Sequence, residues 1–275
     1  MAFSLTLKKI LPIYPTRVYI EFEFNDLLSL GVPLHSLPIF IERSESNVST
    51  TTWTLLTPGG IANYYYIDNT TQLLSFYRTT YYRGYVYVNG RKVYSETKTP
   101  SHNLARHEYL RRRKMLYDEE LVLRKFMGVK IAILKRRHIG DRCDICFDPN
   151  TNIVLNSHCP KCRGTGFIAP YYEPFITYGS RTPISKSVEE ATNESSHESD
   201  VSQLYMLDYP TVSPQDVIVD IETNDRYKAD KIDQTEIRKE LVHQIVTITK
   251  LEKASTEYNI ILPKDIFKLP TTISA

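Results

Sequence analysis

All four cysteines of the chain lie in one short stretch and form two pairs with the spacing Cys-x-x-Cys. Twelve residues separate the two pairs, which are Cys143 with Cys146 and Cys159 with Cys162. Two such pairs supply four thiolates, the usual ligand set of a tetrahedral structural zinc ion. Gly164 and Gly166 follow closely, and glycine suits the crowded or left-handed backbone of a metal-binding turn. The spacing therefore predicts one structural Zn²⁺ with all four cysteines as ligands.

Other uses of these residues fit the pattern less well. Paired disulfides would need an oxidising compartment, and the sequence shows no secretory signal peptide. A redox-active Cys-x-x-Cys would not need a second pair nearby. His158 directly precedes Cys159, but four thiolates already saturate a zinc ion, so we expect this histidine to be a bystander. Because a saturated site leaves no position for water or substrate, the predicted zinc is structural rather than catalytic.

The sequence contains no recognisable catalytic motif. A Gly-rich phosphate loop, a His-Glu-x-x-His stretch and a Gly-x-Ser-x-Gly stretch are all missing from it. Asp216 and Asp220 lie four residues apart in a strand context and would share a face. We interpret them as solvated turn and strand ends rather than as an acid/base pair. The chain is therefore predicted not to be an enzyme.

Composition adds limits on the partners of the chain. The formal net charge of +2 is too small to imply nucleic-acid binding by itself. No apolar run reaches the roughly 18 residues of a membrane span, so no membrane partner is expected. Tyrosine occurs 20 times. Because tyrosine favours strands and wet interfaces, this count favours a β-rich protein with protein partners.

The first hundred residues are predicted to be an arm followed by a β-sandwich. Residues 1–15 carry two lysines and two prolines and are expected to form an N-terminal arm. From Val18 to Phe24, apolar and polar residues alternate with the period of a half-buried strand. Further short strands with Pro, Gly and Asn-Gly turn signals follow to about residue 98, which is typical of a sandwich. We therefore predict a β-sandwich over 16–98.

Four stretches of this region resemble the fibronectin type III domain. The family has an Arg-Ser-like strand end, a Trp strand, a Tyr-x-Asp stretch and a late Tyr-x-Tyr-Arg strand. The matching stretches here are Glu42-Arg43-Ser44, Trp53, Tyr66-Ile67-Asp68 and Tyr81-Tyr82-Arg83-Gly84-Tyr85. The resemblance implies a domain that binds proteins or acts as a spacer. An unrelated small sandwich is the alternative.

The middle of the chain is predicted to be one long amphipathic helix, a strand and the zinc module, together spanning 101–170. The helix is expected over 103–127, with a stop at Met127-Gly128. Two apolar sets recur at helical spacing: Leu110, Tyr117 and Leu121, and Tyr109, Leu116 and Leu123. Two basic clusters are candidate contacts with DNA or an acidic partner: Arg111, Arg112, Arg113, Lys114, Lys135, Arg136 and Arg137. We favour a solvated face or protein contact, because acidic residues dilute the first cluster.

The last third is predicted to be a small β-barrel or antiparallel sheet over 171–262. Alternation in segments such as 226–232 and 244–251 supports strands. The polar segment 180–200 is expected to be an exposed loop, and 263–275 an extended tail that docks on a neighbour. The predicted fold class is mainly β with one long helix.

The run from Leu110 through Tyr172 resembles tailed-phage virion proteins of the head–tail connection. The matching stretches are Arg124-Lys125-Phe126-Met127-Gly128, Leu134-Lys135-Arg136-Arg137, Gly140-x-Arg142-Cys143-x-x-Cys146-Phe147-Asp148-Pro149 and Cys159-Pro160-x-Cys162-x-Gly164-Thr165-Gly166-Phe167. The last third also resembles head-completion or stopper proteins, through Asp208-Tyr209-Pro210, Pro214-x-Asp216-Val217-Ile218-Val219 and Arg226-Tyr227-Lys228-Ala229. In that family this pattern builds a small barrel whose copies form a ring under the portal.

The resemblance implies a structural neck subunit of the virion, assembled in the host cytoplasm. Its expected partners are further copies of the chain in a ring, the portal or adaptor and tail proteins, and DNA in a central channel. A baseplate or collar subunit of the same particle fits equally well. A zinc-ribbon nucleic-acid-binding protein is the alternative from another class, and the near-neutral charge speaks against it.

Overall fold

The chain forms two compact units in a computed structural model. The residues that the structure describes are 4–13, 17–25, 37–46, 52–70, 80–100, 105–138, 140–151, 153–183, 201–237 and 240–263. The first unit comprises 1–117, 138–143 and 167–169, and the second comprises 118–137, 144–166 and 170–275. No helix in these ranges is long and apolar enough to cross a membrane.

The first unit contains two antiparallel sheets. Its strands are β1 Ser4–Ile13, β2 Arg17–Asn25, β3 Phe40–Ser44, β4 Thr54–Leu55, β5 Tyr65–Asp68, β6 Tyr81–Val88 and β7 Arg91–Tyr94. One sheet has the order β1-β2-β5 and the other the order β4-β3-β6-β7. Buried residues of both sheets, including Ile20, Ile41 and Val86, belong to one hydrophobic cluster. The two sheets therefore share a core, as two half-buried sheets must.

The expectation of an N-terminal arm is wrong for Ser4–Ile13, which forms the edge strand β1. It pairs along its length with β2, and Leu7 and Ile10 are fully buried. A register shift between Leu7 and Lys9 interrupts the alternation of apolar and polar residues. This irregularity conceals the strand pattern, and Pro12 is tolerated because an edge strand need not donate every N–H.

One helix follows, as predicted. Helix α1 spans Arg106–Val122 and continues as a π-helical turn over Leu123–Met127. Gly128 closes this turn, with its N–H donating to the Leu123 carbonyl oxygen at 2.8 Å. The helix therefore ends where the Met127-Gly128 pair indicated.

Only one of the two apolar sets on α1 is buried. Tyr109, Leu116 and Leu123 are at most 7% exposed. Of the other set, Leu110 and Leu121 are 37% and 38% exposed. The amphipathic pattern thus correctly predicts a buried stripe, which lies on the face that carries Leu116.

The second unit contains a closed six-stranded barrel. The remaining strands are β8 Val129–Leu134, β9 Phe147–Asp148, β10 Ile153–Val154, β11 Phe175–Pro183, β12 Val201–Leu207, β13 Val217–Asp220, β14 Arg226–Ile237 and β15 Glu240–Lys250. The order around the barrel is β11-β12-β15-β14-β13-β8, with antiparallel pairing throughout. Ile131, Leu204, Met206, Val246 and Ile248 are among the residues that fill it. Of the two predicted forms, a small barrel or an antiparallel sheet, the structure has the barrel, and it includes β8, which the sequence predicts to be part of the segment 101–170.

The boundaries of the last third differ from the prediction. Residues 180–183 belong to strand β11 rather than to a loop, and strand β12 begins at Val201. The rest of the predicted loop, 184–200, lies outside the described residues, as does the tail from 264 to 275.

Candidate metal centre

The four cysteines lie in the connection between two paired barrel strands. β8 and β11 are antiparallel neighbours, with Val129 opposite Gly179 and Ile133 opposite Phe175. Residues 135–174 connect them and contain the short hairpin of β9 and β10. We call this connection the zinc loop. Closing a long loop costs chain entropy, and such a loop has little apolar interior of its own. A single bound metal ion can therefore stabilise one conformation of the loop.

The sulfur atoms are arranged as a metal site requires. The Sγ atoms of Cys143, Cys146, Cys159 and Cys162 all lie within 4.8 Å of one another. The Sγ atoms of Cys146 and Cys162 are 3.0 Å apart. Zinc–sulfur bonds of about 2.3 Å place the sulfurs of a regular tetrahedron about 3.8 Å apart, which lies between these two distances.

The four cysteines are buried and are not joined as disulfides. Each cysteine is at most 2% exposed, so water has little access to the sulfur atoms. Among the described residues, this is the one group of three or more potential ligands that could hold a metal ion. The set fits zinc, and a zinc ion bound here would neutralise buried thiolate charge and cross-link the loop.

Backbone hydrogen bonds lower the pKa of one of the four thiols. Amide hydrogen bonds from Cys162 and Lys161 lower the pKa of Cys159 to about 7. Burial, in contrast, raises the pKa of Cys162. The lowered pKa makes the Cys159 thiolate available near neutral pH, whereas Cys162 would have to lose its proton when a cation binds.

Arg163 fixes the second cysteine pair to the last described segment of the chain. Its backbone has a φ of 51°. Its guanidinium donates to the carbonyl oxygens of Thr256 and Asn259 at 3.3 and 3.2 Å. Arg226 of β14 donates to the neighbouring carbonyl of Glu257 at 3.2 Å. The turn around Glu257 therefore links the zinc loop to the barrel.

Gly164 is required by the backbone, as the sequence indicated. Its φ is +76°, and a Cβ at this position would lie 2.4 Å from the Ser157 carbonyl oxygen. Gly166 also has a positive φ, +78°. The Gly164→Ala variant is expected to lose about 2 kcal/mol or more of loop stability and to bind zinc more weakly, since a backbone clash adds to the left-handed strain. Zinc competition against a chelator measures this loss.

Gly90 provides the matched control for that substitution. It has nearly the same φ, +75°, but nothing lies within 4 Å of its would-be Cβ. Gly90→Ala should therefore cost only about 1 to 2 kcal/mol and leave zinc affinity unchanged. Equal zinc affinity in the Gly164→Ala variant and the unmodified chain would contradict a clash at Ser157.

His158 lies outside the sulfur cluster. It is exposed, its N–H donates to Asn156 Oδ1 at 2.8 Å, and its Nδ1 lies 3.0 Å from Ser157 Oγ. The group of potential ligands consists of the four cysteines without it. This position agrees with the expectation of a bystander.

The structure separates the seven candidate basic residues into exposed and engaged ones. Arg112 and Arg137 are 7% exposed, and Arg137 stacks over the Tyr172 ring at 4.1 Å. Burial lowers the pKa of Arg137. These two side chains pack within the protein, and a contact of either one with DNA or an acidic partner stays a prediction.

The remaining basic residues divide in the same way. Lys135 donates to the Thr211 carbonyl oxygen at 2.5 Å, and Arg136 donates to Gln215 Oε1. Arg113 is half-buried, and of the seven candidates only Arg111 and Lys114 are exposed. The basic runs of the sequence thus do not form one open cationic surface.

The expectation that Asp216 and Asp220 are solvated is also wrong. They are 0% and 5% exposed. Asp216 accepts hydrogen bonds from the backbone N–H groups of Arg136 and Ser213, both at 2.7 Å. Asp220 accepts from the N–H of Glu222 at 2.9 Å. Each carboxylate stabilises the turn beside it, which accounts for the burial without an acid/base role.

Sequence reasoning missed a titratable cluster between α1 and the barrel. The His243 Nδ1 lies 3.7 Å from Glu119 Oε1, and the Tyr205 ring packs on the imidazole at a centroid distance of 4.8 Å. Burial raises the pKa of Glu119, partly offset by His243. It also raises the pKa of Tyr205 to about 12. The pairing of β12 with β15 brings Tyr205 and His243 together, and Glu119 approaches them from α1, so these residues meet although they are far apart in sequence.

The raised pKa of Glu119 has a testable consequence for stability. Folding disfavours the ionised form of Glu119, so its pKa is higher in the folded than in the unfolded state. Glu119 therefore contributes its full stability below the unfolded-state pKa, and this contribution is lost as the pH rises through the folded-state pKa. Glu119→Gln is therefore expected to stabilise the protein at neutral pH and to change little at a pH near 3.5. Urea unfolding at both values measures the difference. Asp118→Asn, an exposed charge on the same helix, should not reproduce it.

The four sulfur ligands, their burial and their place in the barrel connection define the candidate site. It consists of four buried sulfur atoms in one loop of a β-barrel, close enough together to hold a metal ion. No protein-family model, curated protein or solved structure matches the chain.

Proposed function

We propose that the chain is a structural subunit of a tailed-phage virion and forms an oligomeric ring between the portal and the tail. The observation that carries this proposal is the closed six-stranded barrel with a four-cysteine loop between two of its strands. A small barrel and a zinc-binding run are the two features by which the sequence resembles head–tail connection proteins. A closed four-thiolate centre supplies rigidity rather than reactivity, which suits an assembly role.

The stretches that carry the resemblance are neighbours in the barrel. Val217 on β13 pairs with Lys228 on β14. Asp216, just before β13, accepts a hydrogen bond from the backbone N–H of Arg136, just after β8. The resemblance to head-completion proteins therefore rests on residues that build one local structure. This coherence supports the proposal more than scattered similarity would.

We infer a fibronectin type III-like domain in the first unit. Strands β1-β2-β5 and β3-β6-β7 have the order A-B-E and C-F-G of immunoglobulin-type sandwiches, with β4 added beside β3. Arg43, Asp68 and Tyr82, taken from three of the four matching stretches, also meet through hydrogen bonds. In the proposed particle this domain binds a partner protein or acts as a spacer.

Zinc would have a geometric role in the ring. It would hold residues 135–174 in one conformation on the barrel, so that each copy presents the same surface to its neighbour. Ring formation requires head-to-tail interfaces that close on themselves, and a loop of variable shape would not give a constant angle. The partners are then the portal or adaptor, the tail proteins and further copies of this chain.

Electron microscopy of the purified zinc-loaded protein tests the proposal. Rings with a central channel, and their presence coaxial with the tail in virions, are the expected result. A monomer at all concentrations that binds DNA with a steep salt dependence would instead support a zinc-ribbon nucleic-acid-binding protein. Arg111→Glu with Lys114→Glu is the informative control, because it removes the two exposed basic candidates without changing a residue of the zinc loop.

A further inference from the structure

Within the described residues, strand β14 has an open edge along its second half. On the side away from β15, it pairs with β13 from Arg226 to Lys228. Ala229 then exchanges backbone hydrogen bonds with the loop that carries Gln215 and Asp216. From Lys231 onward, β15 is the one strand within the described ranges that pairs with β14. The backbone of Lys231–Ile237 therefore presents N–H and C=O groups that another strand can use.

Strand β11 has an open edge at its carboxyl end. It pairs with β8 from Phe175 to Gly179 and with β12 from Gly179 to Pro183. Beyond Gly179, no described strand lies on the β8 side. The short edge of 180–183 is therefore open in the part of the chain that the structure covers, on the side opposite to the open edge of β14.

We propose that the β14 edge of one copy pairs with the β11 edge of the next copy. The four strands β11-β12-β15-β14 alternate in direction, so β11 and β14 run antiparallel within one chain. A rotation that sets a second copy beside the first therefore makes the new pair antiparallel as well, and the sheet continues without a break. This inference rests on the proposed ring and supplies its interface, a second copy of this chain.

Side-chain charge favours this pairing over pairing of like edges. The β11 edge carries the exposed Arg181, whereas the β14 edge carries the exposed Asp233. Lys231 lies 2.9 Å from Asp233 and offsets part of the negative charge. Two β11 edges would bring Arg181 against its own copy, and like charges opposite each other destabilise a strand pair. Unlike edges therefore match, and head-to-tail assembly is selected.

Hydrogen exchange across a concentration series tests the interface directly. We expect the amides that point away from β15 in 231–237, and away from β12 in 180–182, to exchange quickly in the monomer and slowly in the oligomer. The edge strand Arg91–Tyr94 of the first unit is the control and should exchange at the same rate in both. Rings in which the amides of the β14 and β11 edges still exchange quickly would overturn this inference but would not contradict the proposed ring. Edges that are slow at every concentration would also overturn it, because the chain would then cover them itself.

Charge exchange provides a second, independent test. Arg181→Glu and Asp233→Arg should each weaken association by about threefold to fivefold, and the double variant should recover it. Arg91→Glu makes the same change on an exposed edge strand of the first unit and should have no effect. Single variants that associate like the unmodified chain would contradict the proposed pairing. A chain that stays monomeric, with fast edges, would contradict both the interface and the ring.

Discussion

Replacing Cys143 with serine is expected to abolish stoichiometric zinc binding and to release the zinc loop from its fixed conformation. A serine hydroxyl is a poor zinc ligand, and three thiolates leave the site open to water. The metal contributes on the order of 10 kcal/mol or more to the folding of small structural zinc modules, so the loop should lose most of its order. Elemental analysis and hydrogen exchange over 141–168 measure the two effects.

The barrel should survive that substitution. Its buried core, which includes Ile131, Leu204 and Val246, contains none of the four cysteines. Far-ultraviolet circular dichroism should therefore retain its strand signal while the loop exchanges quickly. His158→Ala is the matched control and should keep one zinc per chain, because this side chain lies outside the sulfur cluster. Zinc loss in the control, or a fully ordered loop in Cys143→Ser, would count against the assignment.

Replacing Asp68 with alanine is expected to destabilise the first unit by about 3 kcal/mol, because the partly exposed Arg43 and the buried Tyr82 hydroxyl lose their shared acceptor. Asp68 is fully buried on β5 and accepts from Arg43 at 2.8 Å and from the Tyr82 hydroxyl at 3.0 Å. It also accepts from Thr70 at 2.8 and 2.6 Å. Because β5 belongs to one sheet and the other two strands to the second, this carboxylate joins the sheets.

Tyr82→Phe separates the charge from the hydrogen bond. It removes one donor to Asp68 and leaves the ion pair with Arg43, so it should cost only about 0.5 to 1.5 kcal/mol. Urea denaturation followed in the first unit measures both variants. If Asp68→Ala costs no more than Tyr82→Phe, the carboxylate does not hold the two sheets together.

The candidate site was largely predictable from the sequence because its ligands are local. Four cysteines within about twenty residues leave few arrangements open, and Gly164 and Gly166 marked the positive-φ positions of the turn. The location of the site in the barrel was not predictable. β8 and β11 are separated by residues 135–174, and alternation identifies a strand without naming its partner.

The errors share a physical cause, which is that sequence patterns do not report burial. Arg112 lies in a basic run of the sequence, but its side chain is buried on α1. Asp216 lies in a polar turn, but it is buried and accepts a hydrogen bond from the backbone N–H of Arg136. Strand β1 was not predicted because the register shift between Leu7 and Lys9 interrupts the alternation of apolar and polar residues. In each case tertiary contacts bury the residue, whereas the composition of the neighbouring sequence suggests that it is exposed.

X-ray absorption spectroscopy at the zinc edge, on protein whose metal content has been measured, tests the central claim most directly. The expected result is one zinc per chain with four sulfur neighbours at about 2.3 Å and no nitrogen or oxygen neighbour. A first shell that includes nitrogen or oxygen, or a chain without zinc whose cysteines are oxidised, would contradict a closed four-thiolate centre in the barrel connection.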